Sequence, residues 1–301
     1  MANREVTTLV DGGSFFEGPR WHDGRWYVSD FYRHTVFAIT PDGRQEPIAE
    51  VPGQPSGLGW MPDGSMLIVS MKDNRLLRRS ADGTLDVHAD LAEHSQGMSN
   101  DMVVDVEGRA YVGSFGFDLM SGADPRPSSM VRVDPDGRVT MAADDLLFPN
   151  GSVITADGST LIVGESFGCR FTAFTLGTGG ELTDRRVWAQ LGATPDFAGG
   201  IEAVIAQATF APDGCALDAE GCIWVADALG GRAARVAEGG EIRDEVRPPQ
   251  GLQVFACMLG GDDGRTLLLC CAPTFAEHER VDATDAVLLT TTVDAPHAGR
   301  P

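Results

Sequence analysis

Along most of this chain the apolar residues come in short runs rich in Val, Ile, Leu, Tyr and Trp, cut by Gly, Pro and Asp. Helical spacing is nearly absent; only Ile201–Ala208 is patterned for a turn or two of helix. Six apolar runs follow one punctuation, Asp-Gly or Glu-Gly: Asp23-Gly24, Asp63-Gly64, Glu107-Gly108, Asp157-Gly158, Glu220-Gly221 and Asp263-Gly264, at steps of 40, 44, 50, 63 and 43 residues. Between two strands such a pair marks a tight hairpin, because the turn needs φ > 0 and glycine supplies it without strain. A four-stranded unit repeated every ~40–50 residues predicts a β-propeller. Six marks predict six blades in an all-β fold.

A second mark often closes each repeat: Asp42-Gly43, Asp82-Gly83, Asp136-Gly137, Gly179-Gly180 and Gly239-Gly240. Third strands are expected at Thr35–Ile39, Arg75–Arg79, Met130–Asp134, Cys169–Thr175 and Ala233–Ala237. The sixth repeat runs short, with strands at Gln253–Met258, Thr266–Cys271 and Ala286–Thr291. Val6–Val10 precedes the first repeat and has no blade of its own. It is expected to supply the outer strand of the last blade, closing the ring and covering two edges. Gly113–Ser129 and Ala193–Phe210 are longer than the pattern needs, and their apolar content predicts a lid or pocket wall.

Composition narrows the setting. The 301 residues fit one closed β domain spanning 1–301. The net charge of -21 argues against nucleic acid and anionic membrane as partners, and suits either a solvated acidic surface or a protein that gathers cations. No apolar run approaches the ~20 residues that cross a bilayer, and the N-terminal stretch lacks a signal-peptide core, so a cytoplasmic location is expected. The six cysteines are then expected to be reduced and buried, with no Cys-x-x-Cys pair for zinc. Nothing in the sequence sets an oligomeric state.

Counting back seven residues from each mark reaches the start of each innermost strand. The residues found are Ser56, Asn100, Asn150, Asp213 and Ala256, with Glu17 six before Asp23. In a propeller these positions ring the mouth of the central channel, so Glu17, Asn100, Asn150 and Asp213 are expected to converge from four blades. All four offer oxygen, which suits a hard cation such as Ca²⁺ or Mg²⁺, with Mn²⁺ next. Three approach through tight turns, Glu17-Gly18-Pro19, Pro149-Asn150-Gly151 and Pro212-Asp213-Gly214, which preset the strand entry. Glu165 and Asp227 end second strands, where they either support this shell or sit exposed. The six histidines form no His-x-x-x-His pair, and Gly-x-Ser-x-Gly and Gly-Lys-Ser/Thr are absent.

Phe16-Glu17-Gly18-Pro19-Arg20-Trp21, Ser99-Asn100-Asp101-Met102, Phe148-Pro149-Asn150-Gly151 and Ala211-Pro212-Asp213-Gly214, each followed by its turn, together resemble the senescence marker protein/gluconolactonase/luciferin-regenerating enzyme family. The likeness runs from about Gly13 to about Thr291. It implies a six-bladed propeller holding one catalytic divalent metal, with lactone hydrolysis as the commonest activity and a small-molecule lactone as substrate. Ca²⁺ is the first expectation, with Mg²⁺, Mn²⁺ or Zn²⁺ as alternatives. Motif by motif, Glu17, Asn150 and Asp213 fall on the family's metal ligands. Asn100 falls on a residue that contacts metal or substrate, Asp101 on its acidic neighbour, and Asp213 also on the general base.

One position departs from the family pattern. Sugar-lactone members carry an arginine where this chain has Met98. An arginine offers five donors and a methionine none. Met98, with Phe16, Phe115, Phe117 and Phe148 in the neighbouring motifs, predicts a greasier substrate pocket and a less hydroxylated lactone. Two other readings stay open: hydrolysis of another ester such as a phosphotriester, and calcium binding without turnover.

Overall fold

In the computed structural model, which describes residues 4–298, the chain folds into six four-stranded antiparallel sheets arranged as the blades of a propeller. Met1–Asn3 and Gly299–Pro301, part of the expected 1–301 unit, lie outside the described residues. The chain opens on β1 (Thr7–Gly13). Blade one holds β2 (Phe16–His22), β3 (Arg25–Asp30), β4 (Thr35–Ile39) and β5 (Gln45–Glu50). Blade two holds β6 (Pro55–Trp60), β7 (Met66–Ser70), β8 (Arg75–Arg79) and β9 (Leu85–Asp90). In blade three come β10 (Ser99–Val104), β11 (Ala110–Ser114), β12 (Ser128–Val133) and β13 (Val139–Leu146). Blade four follows with β14 (Pro149–Ile154), β15 (Thr160–Glu165), β16 (Arg170–Leu176) and β17 (Leu182–Gln190). Helix α1 (Gly200–Gln207) leads into blade five, made of β18 (Pro212–Leu217), β19 (Ile223–Asp227), β20 (Arg232–Val236) and β21 (Ile242–Val246). Blade six takes β22 (Gln253–Gly260), β23 (Thr266–Ala272) and, after the short α2 (Glu277–Arg280), β24 (Ala286–Thr292).

The fourth strand of blade six is β1, paired antiparallel with β24 so that Thr7 faces Thr290 and Gly13 faces Ala286. The expected ring closure is therefore present. The innermost strand β2 packs against both β6 and β22, so the blades meet at a continuous inner wall. All six punctuating glycines sit at positive φ, between 71° and 84°. The third strands of blades one and two have their expected bounds, and those of blades three to five shift by a residue or two. Cys169 is left-handed, at φ 49°, and belongs to the preceding turn, while Asp134 and Ala237 take Arg138 and Glu241 carbonyls as turn closers.

The core lies between blades as well as along the inner strands. Phe171, Trp188, Phe210 and Val225 fill the blade four–five interface, while Val36, Leu58 and Ile68 fill that between blades one and two. All six cysteines are free and buried. Among the described residues no helix is long and apolar enough to cross a membrane.

Candidate active site at the channel mouth

Each innermost strand carries a register irregularity against its neighbour just after its first residues: Glu17/Arg20, Pro55/Leu58, Ser99/Met102, Pro149/Ser152 and Pro212/Cys215 in the first five blades. The strands crowd together there. A Cβ on Gly18 would stand 2.6 Å from the Ser56 carbonyl, and one on Gly151 would collide with the carbonyl of Asp213. Glycine after Glu17, Asn150 and Asp213 thus lets neighbouring blades close on the axis, and brings their side chains to one place.

That place is a cavity lined by Glu17, Asn100, Asn150 and Asp213, together with Ser166 and a wall of apolar residues. The polar groups are knitted around the ring. The Ser29 hydroxyl donates to the Ser56 carbonyl at 2.6 Å, and the Ser56 hydroxyl to Asn100 Oδ1 at 3.2 Å. Asn100 Nδ2 donates to Asn150 Oδ1 at 3.1 Å, Asn150 Nδ2 to Ser166 Oγ at 3.2 Å, and Ser166 Oγ to the Pro212 carbonyl at 2.6 Å. This chain of bonds crosses from blade one to blade five, so each amide is oriented by the blade beside it.

The carboxylates are electrostatically stressed. Burial, then the Asp213 charge, pushes Glu17 well above the usual carboxylate range, although the Gly18 N–H donates to it at 2.9 Å. Burial, then Asp101, pushes Asp213 up to about 8 against the Gly214 N–H and the Asn150 amide. No Lys, Arg or His is among the described residues lining the cavity. Among the described residues no three His, Cys, Asp or Glu side chains form a metal-holding group. The oxygen cluster here consists of two carboxylates and two amides.

Each of the three blades bearing Glu17, Asn150 and Asp213 has a buried carboxylate at the end of its second strand. Asp30 accepts from the Ser14 and Phe15 N–H groups at 3.1 and 3.2 Å. Glu165 accepts from the Leu147 N–H at 2.8 Å, and Asp227 from the Ala211 N–H at 3.1 Å. All three are 0% exposed, and each has an arginine close by: Arg33, Arg170 and Arg232. Blades two and three put Ser70 and Ser114 at that register, opposite Pro55 and Ser99. Phe148, two residues before Asn150, is held at φ 60°, a strained conformation for an aromatic residue.

Of the other residues singled out in the sequence, Phe115 and Phe148 line the cavity, whereas Phe16 and Phe117 are buried in the core and do not. Asp101 turns away from it: its carboxylate accepts from Arg20 at 2.7 Å and from the Met102 N–H at 2.8 Å. Met98 packs against the core and is not among the lining residues. Both long stretches reach the rim, through Leu119 and Met120 in one and Ile205 in the other. Phe31, Tyr32, Phe255 and Phe275 also line the cavity, and no motif pointed to them. Their signal was positional: Phe31 and Tyr32 directly follow a second strand, as Phe115 does.

Comparison with known proteins adds three kinds of likeness. The profile described as SMP-30/Gluconolactonase/LRE-like region matches residues 15–272. Over 201 residues the chain is 28% identical to a 6-deoxy-6-sulfogluconolactonase of Pseudomonas putida, a stretch that makes up 64% of this chain and 62% of that protein. Over 272 residues it is 25% identical to the pentonolactonase XacC of Haloferax volcanii, covering 89% of this chain and 85% of that one. Regucalcin from Agrobacterium tumefaciens strain C58, described as a calcium-binding protein, shares the fold with a TM-score of 0.78 at 21% identity, over 100% of this chain and 99% of that one.

Proposed function

The chain belongs to the SMP-30/gluconolactonase/LRE-like family, and from that membership we propose that it is a metal-dependent hydrolase that opens a lactone ring. The observation that carries this reading is the convergence of Glu17, Asn100, Asn150 and Asp213 in one cavity that no cationic side chain among the described residues lines. The two relatives above are named as lactonases, which supports the same reaction class.

The donor set fits a hard divalent cation. Glu17 and Asp213 are two carboxylates pushed toward their neutral forms by burial, with no lining cation to offset them. Glu17, Asn150 and Asp213 are the proposed ligands, and Ca²⁺ is the first candidate, ahead of Mg²⁺, Mn²⁺ and Zn²⁺. When bound, the cation supplies polarisation of the lactone carbonyl and stabilisation of the oxyanion.

The chain's own groups do the rest. Asp213, in its ionised form, accepts a proton from the attacking water. The water oxygen bonds to the carbonyl carbon, the ring C–O bond breaks, and the proton passes to the leaving alkoxide, giving a hydroxy acid. Asn100 faces the substrate and fixes Asn150 through their 3.1 Å bond. Asp101, tied to Arg20, acts on Asp213 through its field rather than by touching substrate. The substrate is weakly hydroxylated, since the cavity wall is rich in phenylalanine and Met98, where sugar-lactone members carry an arginine, packs against the core and brings no donor to it. The free, buried cysteines accord with a reducing compartment, and the cytoplasm is the proposed location.

The test is lactone hydrolysis followed by pH indicator on chelated protein, then with each of the four metals restored. Return of turnover with a divalent cation supports the reading. Turnover that ignores chelation, or a metal-bound protein that opens no lactone, rejects it.

A further inference from the structure

We infer that the substrate carries a flat aromatic ring, held edge-in between two aromatic walls that face each other across the channel. This rests on the lactonase reading and adds the substrate class. One wall comes from blades six and one: Phe15, Phe31, Tyr32, Phe255 and Phe275. Phe15 is its hub, with ring centroids 5.3 Å from Phe31, 6.2 Å from Tyr32 and 4.9 Å from Phe255. The other wall comes from blades three and four: Phe115, Phe148 and Phe167. Phe148 is 4.6 Å from Phe115 and 5.1 Å from Phe167. In a six-bladed ring, blade one lies opposite blade four and blade six opposite blade three. The walls therefore form a slot above the oxygen cluster, and Leu119, Met120 and Ile205 extend it at the rim.

The slot sorts substrates by what they leave unpaired. A sugar lactone brings several hydroxyls, and the aromatic walls answer with one, that of Tyr32. Each hydroxyl stripped of water without a partner is penalised. An anionic substituent such as a sulfonate is disfavoured further, because no lining cation offsets its charge and Glu17 and Asp213 lie below. A planar aryl ring loses little on leaving water and meets ring faces and edges on both sides. The class that fits is an uncharged aryl-fused or aryl-substituted lactone with its carbonyl end pointing to the oxygen cluster.

The experiment compares three δ-lactones on metal-loaded protein: 3-isochromanone, which is benzo-fused and has an alkoxide leaving group, δ-valerolactone and glucono-δ-lactone. Each kcat/KM is divided by the uncatalysed rate in the same buffer. The benzo-fused lactone is expected to lead by roughly 10- to 100-fold. The half-buried Tyr32→Ala and Phe275→Ala changes, and the volume-sparing Phe148→Leu, should shrink that lead. Binding of a benzo-fused lactam against δ-valerolactam, by calorimetry, gives a readout without turnover. Equal rates, a preference for gluconolactone, or no lactam discrimination overturns the aromatic slot. If no lactone is opened yet the benzo-fused lactam binds tighter, the slot stands and the hydrolase reading falls.

Discussion

Asn150 is oriented at both ends, its oxygen accepting from Asn100 and its amide nitrogen donating to Ser166, which leaves a second lone pair on that oxygen for the proposed cation. The carboxylates beside it have more freedom, and substitutions there separate metal binding from proton transfer. Glu17→Ala is expected to lose divalent binding in calorimetry and turnover together. Asp213→Asn keeps an oxygen donor, so it should retain weakened binding while kcat falls by roughly 10²–10⁴. Near-normal kcat in Asp213→Asn would remove it as the base. Counting back from the turns was enough to find Glu17, Asn100, Asn150 and Asp213, because strand register fixes which residue begins each inner strand. Asp101 shows where such counting stops. It lies one residue past Asn100, inside the register irregularity, where alternation of side chains breaks down, and Arg20 draws it away from the cavity. The aromatic wall of blades six and one was illegible for a related reason. Phe31 and Tyr32 lie in a turn and Phe275 in a loop, and no periodicity governs side-chain direction there.

At the scale of the blade, the buried carboxylates ending β3, β15 and β19 tie down the backbone two or three residues ahead of Glu17, Asn150 and Asp213. Groups behind metal ligands commonly set affinity by about 10–100-fold. Asp227→Ala should therefore weaken divalent binding by that order, with Asp227→Asn recovering much of it through its remaining oxygen. Ser114→Ala, at the same register in blade three, should leave affinity within about twofold. If Asp227→Ala folds and binds metal as the parent does, this support has no bearing on the site. The sequence placed Glu165 and Asp227 at strand ends but left open whether they were buried. That depends on the loops folding over them, which strand patterning does not encode.

Across the whole molecule, two terms of stability can be addressed separately. Blade three's outer turn holds Asp134, whose carboxyl is raised by burial but lowered on balance by bonds from Arg138 and Arg132. A depressed folded value means its contribution is present above about pH 4, the unfolded value, and is lost as pH falls through the folded one. Asp134→Asn should melt below the parent at pH 7, and the gap should close in acid. The second term is ring closure. Removing residues 1–13 deletes β1, uncovers β24 and breaks the bonds of Arg4 to Asp244 and to the Thr292 carbonyl. The melting temperature should drop by roughly 2–4 °C for each kcal/mol lost. An unchanged melt would show that blade six stands on three strands. This closure was readable in the sequence because the last repeat lacks a strand and the first has one to spare.

The pairing of Thr7 with Thr290 also sets an order in time. β1 leaves the ribosome before the other strands of the propeller and is the last of them to gain a partner. At about 5–20 residues per second, the 283 positions between them take roughly 15–60 s to make. Blades one to five can each assemble from contiguous chain during that interval, whereas the sixth waits for the strand pairing of the longest sequence separation in the fold. Closure of the ring is thus the step expected to limit the folding rate, since loop entropy is spent before the contact is gained.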